Sequence, residues 1–119
     1  MEHFENMLAV AKEKNQSLIG EYAQTVVALT VDDKIFSLPL SNALDLQSLE
    51  TELFLQSLEK NENRPIARLL CLWTTGEIDL PSMVLRRALI KQNPLNGEAQ
   101  VFVLRETGYA CRSLNSTMS

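Results

Sequence analysis

The chain has one histidine, His3, and two cysteines, Cys71 and Cys111, among its 119 residues. A Ser-His-Asp or Cys-His relay needs a histidine held in a cleft, and His3 lies near a chain end, where order is poorest. Neither cysteine has a second cysteine or a histidine at ligand spacing. Both sit in apolar, strand-like segments and read as reduced, buried thiols, not as a disulfide or a nucleophile. Glycine is scarce as well, with four residues and no Gly-rich phosphate loop. Basic residues are outnumbered 11 to 15, for a net charge of −4. A broad phosphate-neutralising face is therefore not expected, and neither is nucleic acid as a partner. No run approaches the roughly 18 apolar residues of a membrane span, so no membrane partner is expected. The opening Met1-Glu2-His3-Phe4-Glu5-Asn6 is acidic and lacks the basic start of a signal peptide. A cytoplasmic location is the corresponding expectation.

The composition that remains is ordinary for a folded domain: 45% apolar and 22% charged. The length suits one domain spanning residues 1–119. Phe4, Met7, Leu8 and Ala11, then Leu18, Ile19 and Tyr22, repeat at helical spacing, which predicts a helix near 4–20. Thr25–Val31 and Ile35–Leu38 flank Asp32-Asp33-Lys34 and read as a hairpin, with Pro39 ending its second strand. A second helix is predicted over 46–60, with Asp45 as its cap and Leu46, Leu49, Leu53, Phe54 and Leu58 on its apolar face. Ile66–Trp73 is almost continuously apolar, the mark of a strand covered on both faces. Pro81 suits the first turn of a third helix over 81–92. Strands at 99–104 and 109–114 follow, and the tail from Asn115 is expected to fray. The order α-β-β-α-β-α-β, with a possible further strand, predicts an α/β fold: a mixed sheet of four to five strands between layers of helices.

This order and these lengths resemble the small cytidine deaminases over nearly the whole chain. In that family an Asn-x-Glu-Asn-Ala segment follows the hairpin, Cys-Ala-Glu or His-Ala-Glu opens one helix, and Pro-Cys-x-x-Cys-Arg opens the next. Here Ser41-Asn42-Ala43 stands where the family has Glu-Asn-Ala, and Ser48-Leu49-Glu50 where it has Cys-Ala-Glu. Pro81-Ser82-Met83-Val84-Leu85-Arg86 resembles Pro-Cys-x-x-Cys-Arg. The resemblance implies a three-layer deaminase-like domain, dimers or tetramers, and a zinc site built from the first turns of two helices. There the metal lowers the pKa of a bound water, and a glutamate that is not a ligand shuttles protons.

The ligand-equivalent positions hold Ser48, Ser82 and Leu85, and none of these is a zinc donor at neutral pH. No metal or other cofactor is therefore expected. The family's ribose-binding Asn and Glu fall on Pro39 and Ser41. What the resemblance leaves is Glu50 as a relic of the proton shuttle, with Ser48, Ser82, Leu85 and Arg86 lining a relic pocket. Each has a plainer reading as well. Glu50 and Glu52 suit the positive end of a helix, Ser48 and Ser82 suit helix caps, and Arg86 and Arg87 suit one solvated and one salt-bridged side chain. The expected function is a zinc-free, catalytically inactive binding or homo-oligomeric module, with a nucleoside-like or small anionic ligand. The alternatives are a hydrolase with an atypical metal site, using Glu50 and Cys71, and an α/β adaptor unrelated to deaminases.

Overall fold

The computed structural model describes residues 2–16, 23–40, 44–105 and 108–118. The chain forms α1 (Glu2–Gln16), β1 (Gln24–Thr30), β2 (Ile35–Leu40), α2 (Leu44–Lys60), β3 (Ile66–Trp73), β4 (Ile78–Asp79), α3 (Met83–Gln92), β5 (Gln100–Arg105) and β6 (Gly108–Ser113). Short 3-10 turns cover Pro94–Glu98 and Asn115–Thr117. Strand order is β2-β1-β3-β5-β6, and β4 pairs with β3. All pairings are antiparallel except that of β3 with β5.

The two-residue period of the strands divides the core. Val26, Ala28, Leu69, Cys71 and Val101 point to one face, where Phe54, Leu58, Leu85 and Leu89 of α2 and α3 cover them. Val27, Leu29, Leu70, Leu72 and Phe102 point to the other face, beneath Phe4, Met7 and Ala11 of α1. This is a sheet between two helical layers, with β1 and β3 at its centre; all seven residues of β1 are buried. Along one edge of β3, β5 pairs at Arg68 and Leu69 and β4 pairs at Cys71 and Leu72. The antiparallel β4 therefore fills the stretch that β5 leaves.

Several boundaries differ from the sequence-based expectations. The described part of α1 ends at Gln16, and Leu18, Ile19, Gly20 and Tyr22 lie outside the described residues. Pro39 does not end its strand: it sits within β2, opposite Thr25, because β2 is an edge strand and its missing N–H breaks no ladder on the open side. α2 begins at Leu44, so Asp45 lies inside the helix and is not its cap. Leu49 and Leu53 are about half exposed, and the buried stripe of α2 is Thr51, Phe54 and Leu58. Pro81 precedes the cap of α3, so it stands before the helix and not in its first turn. The tail is ordered: Leu114 and Thr117 are buried, and Asn115–Thr117 is a helical turn.

Candidate functional site at the paired helix starts

β2 and β3 both run antiparallel to β1, so they point the same way, and α2 and α3 return from their ends on one face of the sheet. The two helices are tied near their C-terminal ends. Gln92 Nε2 donates to Leu55 O at 3.2 Å and to Asn63 Oδ1 at 2.6 Å, and Asn93 Nδ2 donates to Asn63 O at 2.9 Å. Equal steps of about 1.5 Å per residue back from the Leu55–Gln92 contact bring the start of α3 level with the first turns of α2. Both helix N-termini thus lie toward the carboxyl ends of strands, the end at which open α/β sheets bind ligands.

The start of α3 is fully described. Ser82 is its N-cap, and its Oγ accepts from the Leu85 N–H at 3.2 Å. Leu85 is fully buried in the cluster that includes Phe54, Leu58 and Leu89. Arg86 is buried too: its Nε donates to Pro81 O and its guanidinium NH1 group to Thr117 O, both at 2.8 Å. Burial lowers its pKa from the ordinary value, and the nearby Asp79 carboxylate partly opposes that shift. Arg86 is therefore a clamp on two backbone carbonyls and not half of an ion pair, while Arg87 is exposed.

The start of α2 is arranged differently from the sequence-based reading. Counting from Leu44, Ser48 is the fifth helical residue and Glu50 the seventh, which puts both beyond the first turn. Ser48 is therefore not a cap, and its side chain lies outside the described residues, as do Ser41 and the side chain of His3. Glu50 is half-buried. One helical turn from Ser48, the Thr51 hydroxyl is buried with no hydrogen-bond partner among the described residues.

Cys71 and Cys111 are free thiols, the first buried and the second half-buried. The Cys71 thiol donates to Gln24 Oε1. Burial raises its pKa well above the ordinary thiol value, and the Asp79 carboxylate adds to the effect. It is a protonated, occupied group at neutral pH and poorly suited to ligation or attack. Sequence reasoning missed Asp79, which gathers the loop before α3. Its Oδ1 accepts from Leu80 N at 2.7 Å and its Oδ2 from Trp73 Nε1 at 3.2 Å. With Trp73, Thr75 and Glu77 it lines an open cleft of about 340 Å³. The alternation Glu77-Ile78-Asp79 was the available signal, an apolar residue turned inward between two acids.

These residues do not fit the zinc that the deaminase family carries. Leu85 has no donor atom and is enclosed in apolar side chains, and the Ser82 hydroxyl already accepts the capping bond. Among the described residues, no three His, Cys, Asp or Glu side chains are grouped to hold a metal.

No protein-family model matches the chain, and no curated protein matches it at the significance threshold. Solved structures do match. Cytidine deaminase from Mycobacterium tuberculosis superposes with a TM-score of 0.71 at 13% identity, over 96% of this chain and 92% of that one. The enzyme from Mycobacterium leprae gives 0.71 at 10% identity, over 97% and 96%. That from Burkholderia pseudomallei gives 0.68 at 15% identity, over 94% and 93%. The described residues form three helices and a six-stranded mixed sheet, and on these superpositions the chain has the cytidine deaminase fold.

Proposed function

We propose that this chain is a deaminase-fold protein that lacks zinc and hydrolytic activity and acts by binding, as a homo-oligomeric module spanning residues 1–119. The observation that supports this most strongly is the start of α3. Where the family pattern has two thiolate ligands, Ser82 closes the helix with a capping bond and Leu85 fills the apolar core. Without an activated water the reaction has no nucleophile, and a carboxylate such as Glu50 cannot supply one. The two helix starts offer partial positive charge, which favours a small anionic ligand, while a nucleoside-like ligand follows from the family resemblance. In this reading Ser48, Glu50, Ser82 and Arg86 frame the relic pocket, Leu85 narrows it, and the protein works in the cytoplasm. Among the described residues, no helix is long and apolar enough to cross a membrane. The alternative of an adaptor with an unrelated fold loses its basis, because the fold is shared.

The test combines elemental analysis of the purified, dialysed protein with deamination assays and a thermal-shift screen. Cytidine, deoxycytidine, adenosine and guanine are incubated at high protein concentration. The expected result is no stoichiometric zinc and no turnover, with a stabilising shift from a nucleoside or small anion. One zinc per chain, with turnover that disappears in Glu50→Gln, would overturn the proposal and favour the hydrolase alternative.

A further inference from the structure

The turn that follows α3 carries the chain's one Asn-Gly step, Asn96-Gly97, and both residues are buried within the 3-10 turn Pro94–Glu98. Asn96 joins two elements. Its Oδ1 accepts from the Ile66 N–H at the start of β3, and its Nδ2 donates to Leu89 O in α3, both at 2.8 Å. The junction needs one side chain that accepts and donates, which an amide does and a carboxylate does not. Gly97 answers a different demand. It has no positive φ, but a Cβ there would overlap the side-chain amide of Asn115. The packing of the C-terminal turn thus requires glycine directly after an asparagine that the β3–α3 junction requires. Asn-Gly is also the step at which an asparagine amide is most readily lost as ammonia, because no Cβ shields the glycine nitrogen and its backbone is the least restricted.

We propose that Asn96-Gly97 is a deamidation site that the fold keeps closed, and that reaction there makes prolonged unfolding irreversible. In the reaction the Gly97 nitrogen attacks Asn96 Cγ. An N–Cγ bond forms, the Cγ–Nδ2 bond breaks, and ammonia leaves with the proton that the Gly97 nitrogen gives up. Water then opens the cyclic imide at one of its two C–N bonds and leaves aspartate or isoaspartate, with no oxidation or reduction. In the folded chain the Asn96 N–H donates to Asn93 O at 2.8 Å, and Asn96 O accepts from the Ala99 N–H at 3.0 Å. These bonds hold the turn helical, and a helical ψ keeps the Gly97 nitrogen away from Cγ. The two side-chain bonds fix the amide where it stands. Opening of residues 93–99 releases all of these restraints together. An aspartate at position 96 cannot donate to Leu89 O and brings a charge into a buried site. An isoaspartate adds a carbon to the main chain of a closely packed turn.

The parent chain is incubated in mildly alkaline buffer, folded and in urea, and peptide mapping by mass spectrometry follows every asparagine. Deamidation at Asn96 is expected to be at least about tenfold faster in urea, because the folded chain reacts only through local opening. In urea it is expected to outpace every other asparagine, and Gly97→Ala, compared there because no fold is needed, is expected to slow it severalfold. After partial reaction the urea is diluted out, and compact chains are separated from expanded ones by gel filtration. Chains intact at Asn96 are expected in the compact fraction and modified chains in the expanded one. Equal rates in the folded and unfolded chain would overturn the protection, and another asparagine reacting first in urea would overturn the site. Modified chains that become compact in the same proportion as intact chains would overturn the irreversibility. So would failure of a briefly exposed, unmodified chain to refold, since irreversibility would then have another cause.

Discussion

Replacing Arg86 by methionine isolates the polar work of this residue, because the apolar stem is kept and the guanidinium is lost. Its two hydrogen bonds, to Pro81 O and Thr117 O, join the approach to α3 with the C-terminal turn. A buried hydrogen bond to a charged donor contributes about 1.5–3 kcal/mol, and a carbonyl left without a partner costs about 1–3 kcal/mol. Losing the pair is offset in part, since the guanidinium no longer has to be kept out of water. The net expectation for Arg86→Met is about 3 kcal/mol of destabilisation. For a chain of this length that corresponds to a fall of roughly 10 °C in Tm. Urea unfolding followed by far-UV circular dichroism measures the first quantity and a thermal melt the second. Arg86→Lys keeps the charge but not the fork that reaches two carbonyls, and it is expected to recover about half of the loss. Carboxypeptidase trimming adds a local readout: the residues after Leu114 are expected to be released faster from Arg86→Met than from the parent. If Arg86→Met unfolds within about 1 kcal/mol of the parent, water satisfies both carbonyls and Arg86 does not hold the tail.

Two further outcomes follow from the titratable groups. Cys71 is buried and its thiol pKa is raised, whereas Cys111 is half-buried, so a thiol reagent at neutral pH is expected to modify Cys111 first and Cys71 only on unfolding. Equal rates at the two sites in the folded protein would contradict the burial argument. In the β1–β2 turn the Thr30 hydroxyl donates to the Asp32 carboxylate and is the main cause of its lowered pKa. A carboxylate with a lowered folded pKa stabilises the fold above its ordinary pKa, and that contribution is lost as pH falls through the lowered value. Thr30→Val is expected to move the Asp32 titration upward, toward the ordinary carboxylate range, as read by NMR of the side-chain carboxyl. An unchanged titration would assign the shift to the smaller contributions of the backbone, Lys34 and Arg64.

What could be read from the sequence was what repeats locally. The nearly continuous apolar run of β3 and the β-branched run of β1 were legible because both strands are sandwiched, so both faces had to be apolar. What could not be read depended on distant partners. β4 has only two residues and exists because β5 leaves part of the β3 edge open. Pro39 stays in its strand because of where β2 falls in the sheet order. The tail carries no apolar pattern of its own, yet it is ordered by Leu114 in the core and by an arginine 31 residues earlier in the sequence. At the site, the capping role of Ser82 was legible from its position before a helix. The burial of Arg86 was not, because nothing in the sequence around Arg86 and Arg87 tells which of the two turns inward.

The helix that misled the reading is also the most informative one. α2 carries two overlapping apolar stripes, Leu46, Leu49 and Leu53 on one and Thr51, Phe54 and Leu58 on the other, and periodicity does not rank them. The sheet takes the stripe with the aromatic, which buries more surface per residue and reaches Leu85 and Leu89 across the layer.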